Sequence, residues 1–115
     1  MNRTWAVGRE RWKIINEALQ EIKISNRNGS HLNCIRLSNA ASEEHNKKII
    51  EICLEFLRTN TPFMTEAIFH NGYRADLINC YTHEIMEVMV TETDESIENK
   101  IKNYPDLFII KKIRI

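Results

Sequence analysis

Apolar residues recur at two different spacings along the chain, and these spacings predict alternating helices and strands. Helical spacing marks Arg9–Ile22, and it marks a second stretch that begins after the cap residue Ser42 and ends near Thr59. A third helical stretch follows the cap residue Thr93 and stops at Pro105. Segments with the residue types of strands make up the rest: Phe63–His70, Tyr73–Tyr81, Glu84–Thr91 and Leu107–Ile115, with a shorter candidate at Cys34–Leu37.

Turn signals divide these elements into groups. Asn71-Gly72, between the first two long strands, is the strongest hairpin signal in the chain. The polar stretch Ser25–Asn33 contains Asn28-Gly29 and predicts a boundary within a single domain, 1–115, between an N-terminal helical extension, 1–41, and a core, 42–115. The core order α-β-β-β-α-β, preceded by an extra helix, predicts an α/β (α+β) fold with a mixed sheet flanked by helices.

Composition and charge narrow the classes of protein to which the chain can belong. Its 115 residues are the size of one domain, and 16 basic residues balance 16 acidic ones. A nucleic-acid partner would therefore have to bind a local basic patch. The 3 cysteines are widely spaced and argue against a disulfide framework or a structural zinc site. No apolar run approaches the ~18 residues of a membrane span, and no apolar signal core precedes the first helix, so we expect a cytoplasmic protein without a membrane partner.

Two carboxylates stand inside the predicted strands. Alternate residues of a strand share a face, so Glu87 points the same way as Ile85 and Met89. Asp76 lies in the preceding strand, also among apolar neighbours. An unpaired buried carboxylate is costly, so each acid needs a partner, a metal ion or an open cleft. Carboxylates on neighbouring strands predict a site for a hard divalent cation such as Mg²⁺.

The segment Glu66–Glu92 resembles the restriction-endonuclease-like PD-(D/E)XK nucleases, in which a hairpin precedes an aspartate and a Glu-x-Lys motif follows. Asp76 and Glu87 match the two acids. The resemblance implies that these two residues bind Mg²⁺ or Mn²⁺ and that, with Glu66, they form the catalytic set of a nuclease acting on DNA in preference to RNA. A signature similar to that of small archaeal members, G-x-RAD…EV-x-x-[ST]E…YP, is matched at Gly72, Arg74-Ala75-Asp76, Glu87-Val88, Thr91-Glu92 and Tyr104-Pro105.

One position departs from the family pattern. The lysine expected two residues after Glu87 is Met89, which can neither donate a proton nor stabilise charge on a phosphate. Either another residue supplies this function or the chain is not a conventional nuclease. Lys100 and Lys102 on the following helix could reach the site, although a solvated helix face is the simpler interpretation of both.

The remaining candidates near the acids have competing interpretations. Arg74 should share the face of Asp76, where it could bind a phosphate. It could instead pair with Asp76 or Glu87 and satisfy these acids without a metal ion. Glu66 is either a third acid of the site or a surface glutamate on an edge position.

The helix after Ser42 offers further acids. Glu44 and Glu51 are weaker candidates for supporting roles, and Glu51 also fits an ordinary exposed ladder of charges. His45, beside Glu44, is interpreted as a surface histidine.

Three functions remain open. The first is a metal-dependent nuclease, weakened by Met89, whose activity Met89→Lys should raise if a cleft is open there. The second is a non-catalytic nucleic-acid-binding or assembly protein that keeps the nuclease fold. The third is a structural protein that forms a homodimer through its N-terminal helix. Trp5 and Trp12 are large apolar anchors suited to such an interface or to covering the core.

Overall fold

A computed structural model of the chain describes residues 3–23 and 31–115, and the side chains of residues 9–23 and 31–115. Within these ranges the protein is an α+β domain with three helices and a four-stranded mixed sheet. The predicted order of elements is confirmed, whereas the assignment to the restriction-endonuclease-like fold stays a prediction. The elements are α1 Arg3–Gln20, α2 Glu43–Arg58, β1 Phe63–Ile68, β2 Arg74–Asn79, β3 Glu84–Met89, α3 Asp94–Ile101 and β4 Ile109–Arg114.

The sheet has the strand order β1-β2-β3-β4. β1, β2 and β3 are antiparallel neighbours, as the hairpin signal predicts for the first pair. β4 is parallel to β3, because the chain crosses over through α3 between them. This topology makes β2 and β3 the central strands, and every residue of β3 from Ile85 to Met89 is buried.

The loop of the β1–β2 hairpin, residues 69–73, includes residues that the sequence predicts as the end of the first strand and the start of the second. Ile68 pairs with Arg74, and the Phe69 amide donates to the Tyr73 carbonyl over 2.8 Å. Gly72 has a φ of +90°, a backbone conformation that a side chain would strain. The Asn71-Gly72 signal therefore marks this turn correctly.

Side-chain caps fix the starts of α2 and α3 as predicted. The Ser42 hydroxyl accepts the amide of His45, and the Thr93 hydroxyl accepts the amide of Ser96. α1 differs from its prediction, since it begins at Arg3 and ends at Gln20. The predicted end at Ile22 is wrong because this residue forms an isolated antiparallel bridge with Phe69, beyond the end of β1.

The predicted strand Cys34–Leu37 is absent from the described part of the chain. Hydrogen bonds to the side chain of Thr65 hold this segment, in place of the backbone hydrogen bonds of a strand ladder. The Thr65 hydroxyl donates to the Cys34 carbonyl and accepts the Arg36 amide, each over 2.8 Å. The segment is thus held beside β1 without becoming a fifth strand. The predicted turn at Asn28-Gly29 lies outside the described residues.

Helices cover both faces of the sheet. α1 packs on one face through Ile15, Ala18 and Leu19, which share a core with Ile78 and Ile85 of the central strands. α2 packs on the other face, in a second core made of Ile49, Cys53, Phe63, Leu77, Met86 and Val88.

Two further features of the surface bear on the expected partners. Trp12 is 54% exposed, so this tryptophan does not cover the core, and the side chain of Trp5 lies outside the described residues. None of the helices in the described ranges has the length and apolar content that crossing a membrane requires.

Candidate functional site

The candidate site lies where β2 and β3 stop pairing through their backbones. Leu77 pairs with Met86, so the next step of this register sets Asp76 opposite Glu87. The Asp76 amide donates to Oε2 of Glu87, and the Val88 amide donates to Oδ2 of Asp76, each over 2.9 Å. The two acids are therefore in direct contact at the point where the ladder ends.

Glu87 is almost fully enclosed, with 1% of its side chain exposed. Its Oε1 atom lies 2.7 Å from Nζ of Lys100 and accepts the hydroxyl of Tyr104 over 2.6 Å. Burial, followed by the negative charge of Asp76, raises the pKa of Glu87, although Lys100 and Tyr104 act in the opposite direction. Burial and the adjacent Glu87 also raise the pKa of Tyr104, so this phenol stays protonated as a donor.

Asp76 is paired with a histidine from α2. Nε2 of His45 lies 3.2 Å from Oδ2 of Asp76. Burial alone would raise the pKa of Asp76, but the His45 hydrogen bond, the Lys100 charge and the Val88 amide together lower it. The same hydrogen bond raises the pKa of His45 and favours its imidazolium form.

Glu66 occupies a strained position in β1. Its φ is +53°, a left-handed conformation that is uncommon for a residue with a side chain. The β1–β2 register places it directly between the paired positions Thr65 and Ala67, and hence opposite Asp76. Such strain costs about 1–3 kcal/mol and is concentrated at functional sites. Oε2 of Glu66 lies 3.3 Å from Nε of Arg74.

An open cavity of about 790 Å³ lies over these residues. Its lining includes Asp76, Glu66, Arg74, Lys100 and His45. Four of the site residues predicted from the sequence thus line one cavity. Glu87 lies behind this cavity, in contact with Lys100. The lining also includes small and apolar residues of the loop before α2, of β1 and of the segment after β3: Ser38, Ala40, Ala41, Ser42, Ile68 and Val90.

No family model, curated protein or solved structure matches this chain. The resemblance to PD-(D/E)XK nucleases therefore rests on the motif residues of the sequence. In the structure, the aspartate and the glutamate of this motif lie on neighbouring strands.

Two sequence interpretations of basic residues are wrong. Arg74 pairs with neither Asp76 nor Glu87, because it stands at the exposed start of β2 and its guanidinium turns to Glu66. Lys100 was interpreted more simply as part of a solvated helix face. Instead its ammonium group contacts Glu87, since α3 lies against the central strands and 34% of the Lys100 side chain stays exposed.

The weaker acidic candidates are not brought to the site. The side of α2 that faces inward carries the buried residues His45, Ile49 and Cys53. Glu44 and Glu51 lie elsewhere on the helix, along a shallow surface depression, and Glu51 pairs with Lys48 over 3.4 Å. They therefore have no contact with the cavity over Asp76.

Sequence reasoning missed two residues of the site. His45 is 9% exposed, so its interpretation as a surface histidine is wrong. Its spacing of four and eight residues from Ile49 and Cys53 was a signal for the inner face of α2. Tyr104 was recognised only as part of the YP signature, because its contact with Glu87 depends on how α3 packs.

The donor atoms of the site suit a hard divalent cation. In the described ranges, no group of three or more His, Cys, Asp or Glu residues is arranged to hold a metal ion. Mg²⁺, however, commonly uses one or two carboxylates and completes its shell with water and substrate phosphates. Both side-chain contacts of Asp76 fall on Oδ2, and the Glu66 carboxylate lines the same cavity. Asp76 and Glu66 therefore fit the ligand chemistry of Mg²⁺ or Mn²⁺.

Proposed function

We propose that this chain is a metal-dependent nuclease in which Lys100 supplies the cation that Met89 cannot. The observation that carries the proposal is the 2.7 Å contact between Nζ of Lys100 and Oε1 of Glu87. In the family pattern the lysine comes from the strand, two residues after the glutamate. Here an ammonium group reaches the same carboxylate from α3, and Lys100 also lines the cavity.

Each charged residue has a role that follows from its position. Asp76 and Glu66 are the carboxylates available to a Mg²⁺ or Mn²⁺ ion, which would supply Lewis acidity and a water of lowered pKa when bound. Glu87 orients Lys100, whose ammonium can donate hydrogen bonds to a phosphate in the cavity and stabilise its growing charge. Arg74 is 58% exposed at the rim and can bind a neighbouring phosphate.

A cleavage assay with matched lysine variants tests this proposal. Labelled DNA and RNA are incubated with Mg²⁺ or Mn²⁺, and DNA is expected to be the better substrate. Lys100→Met should lower the cleavage rate by about 10²–10³, because a positioned donor at the reacting phosphate is lost. Lys102→Met changes an exposed lysine on the same helical segment and should leave the rate unchanged. Equal rates for the two variants would refute the role of Lys100.

Moving the lysine back to the strand provides a second test. Met89 is 1% exposed, so the open cleft that would favour Met89→Lys is absent at this position. With Lys100 present, Met89→Lys adds a second buried ammonium group and should not raise activity. In the Lys100→Met background, the same change restores one cation near Glu87 and should recover part of the activity.

A non-catalytic nucleic-acid-binding protein is the second candidate. The observation that favours it is that the Glu87 carboxylate already has partners within the protein and needs no metal ion. These partners are Lys100, Tyr104 and the Asp76 amide. A titration with Mg²⁺ or Mn²⁺, followed by the melting temperature, separates the candidates, because an ion that binds the native state raises that temperature. No shift at millimolar concentration, together with inertness on every substrate, would favour the binding protein.

A further inference from the structure

We infer that the cavity accepts a single-stranded segment of nucleic acid, with one base stacked on Tyr73, and that an intact duplex is excluded. This inference specifies the substrate of the proposed nuclease site and therefore rests on that proposed function. Three observations carry it: the depth of the acids, the size and lining of the cavity, and an exposed tyrosine beside Arg74.

The carboxylates are recessed below the protein surface. Exposed fractions are 1% for the Glu87 side chain, 19% for Asp76 and 17% for Glu66. A phosphodiester must therefore enter the cavity to reach them. In a duplex the phosphates follow the outside of a stiff double helix whose persistence length is ~50 nm. A single strand is narrower and flexible, so one of its phosphates can be drawn inward.

The cavity has the dimensions and the lining of a site for one nucleotide unit. Its volume of about 790 Å³ lies within the ~300–1,000 Å³ range of sites that enclose a small molecule. The cations Lys100 and Arg74 suit a phosphate, whereas Ala40, Ala41 and Val90 offer apolar surface to a sugar or a base. A duplex, in which paired bases are stacked inside, could not present a base to this surface without being opened.

Tyr73 supplies the stacking surface. Its side chain is 40% exposed although it lines the cavity, and none of the described aromatic contacts involves its ring. The hairpin holds its backbone through the hydrogen bond from Phe69. Arg74 lines the same cavity, so a ring for a base and a cation for a phosphate both face it. Aromatic rings combined with basic groups are how proteins bind single strands without sequence readout.

Binding of matched oligonucleotides tests the inference. Fluorescence anisotropy compares a labelled single-stranded DNA with its blunt duplex. Ca²⁺ replaces Mg²⁺ so that the carboxylates of the cavity have a hard cation, and a gel of each sample verifies that the DNA stays intact. The single strand should bind more tightly. Tyr73→Ala should weaken its binding by roughly 5- to 150-fold, the equivalent of losing one base–aromatic stack. Tyr73→Phe keeps the ring and should bind normally. Tyr81→Ala removes a tyrosine that is 44% exposed outside the cavity and should have no effect.

The outcomes separate this inference from the proposed function. If the single-strand preference and the Tyr73 effect hold but Mn²⁺ produces no cleavage of either DNA, the nuclease proposal fails and the inference stands. Cleavage of both forms with equal affinity would support the nuclease and overturn the inference. An unchanged affinity in Tyr73→Ala, or no binding to either oligonucleotide, would also overturn it.

Discussion

Removing the Lys100 ammonium group tests how much this cation stabilises the buried carboxyl group of Glu87. Lys100→Met keeps an unbranched side chain but leaves Glu87, 1% exposed, without its cation. Breaking a fully buried ion pair costs about 3–5 kcal/mol. Because 34% of the Lys100 side chain is exposed, solvent already screens part of this interaction, and we expect a loss of about 2–4 kcal/mol. For a domain of this size, the melting temperature at pH 7 should fall by roughly 8–16 °C.

The loss of stability in Lys100→Met should depend on pH in a defined direction. The pKa of Glu87 is already raised, first by burial and then by Asp76, and the loss of Lys100 removes two influences that lower it. A raised carboxyl pKa weakens the folded state as pH rises above the unfolded value of ~4.3, because only the ionised form needs a cation. The variant should therefore approach wild-type stability at pH 4 and fall progressively below it as pH rises.

Chemical denaturation of four proteins at pH 4–8 provides the measurement: wild type, Lys100→Met, Glu87→Gln and the double variant. The double variant removes both charges, while glutamine can still accept hydrogen bonds from Tyr104. It should be more stable than Lys100→Met at pH 7, and the cycle yields the coupling energy between the two residues. A deficit in Lys100→Met that does not change with pH, or no deficit at all, would refute this account of the ion pair.

Substitutions at three further positions test the surroundings of the acids. Tyr104→Phe removes a donor to the carboxylate of Glu87 and should lower the unfolding free energy by about 1.5–3 kcal/mol in urea denaturation. Glu66→Gly relieves a φ of +53° and should raise the melting temperature relative to Glu66→Ala, which keeps the strain; the reverse order would contradict this. His45→Gln should destabilise most between the ordinary pKa values of aspartate, 3.8, and histidine, 6.5. The lowered pKa of Asp76 gives stability that is lost as pH falls, and the raised pKa of His45 gives stability that is lost as pH rises. A loss of unfolding free energy in His45→Gln that does not depend on pH would therefore argue against the pair.

Local signals in the sequence were sufficient for most of the fold. The caps Ser42 and Thr93, the Asn71-Gly72 turn and the apolar periods act over a few residues, and they predicted the helices α2 and α3 and the four strands. Their ends were less well predicted, because the end of an element depends on its neighbours. The chain leaves helical geometry before Ile22 to pair with Phe69, which lies 47 positions further along the sequence.

Some residues of the site could be predicted from the sequence, and others only from the tertiary structure. Strand parity predicted that Asp76 and Glu87 share a face, because side chains alternate along a strand whatever surrounds it. The partners of these acids come from other elements: His45 from α2, and Lys100 and Tyr104 from α3 and the turn after it. The apolar spacing of α2 indicates that His45 lies on its inner face, but no local pattern states which residue of the sheet this face meets.

The sequence by itself thus determined the elements, their order and the two central carboxylates, since these follow from spacing and turn chemistry within short segments. Only the tertiary structure decided that an ammonium group from α3 reaches Glu87, and that Arg74 turns to Glu66 instead of the buried acids. The physical reason is that these choices depend on burial and on the distances between charges from separate segments. Both quantities are defined only once the helices have packed against the sheet.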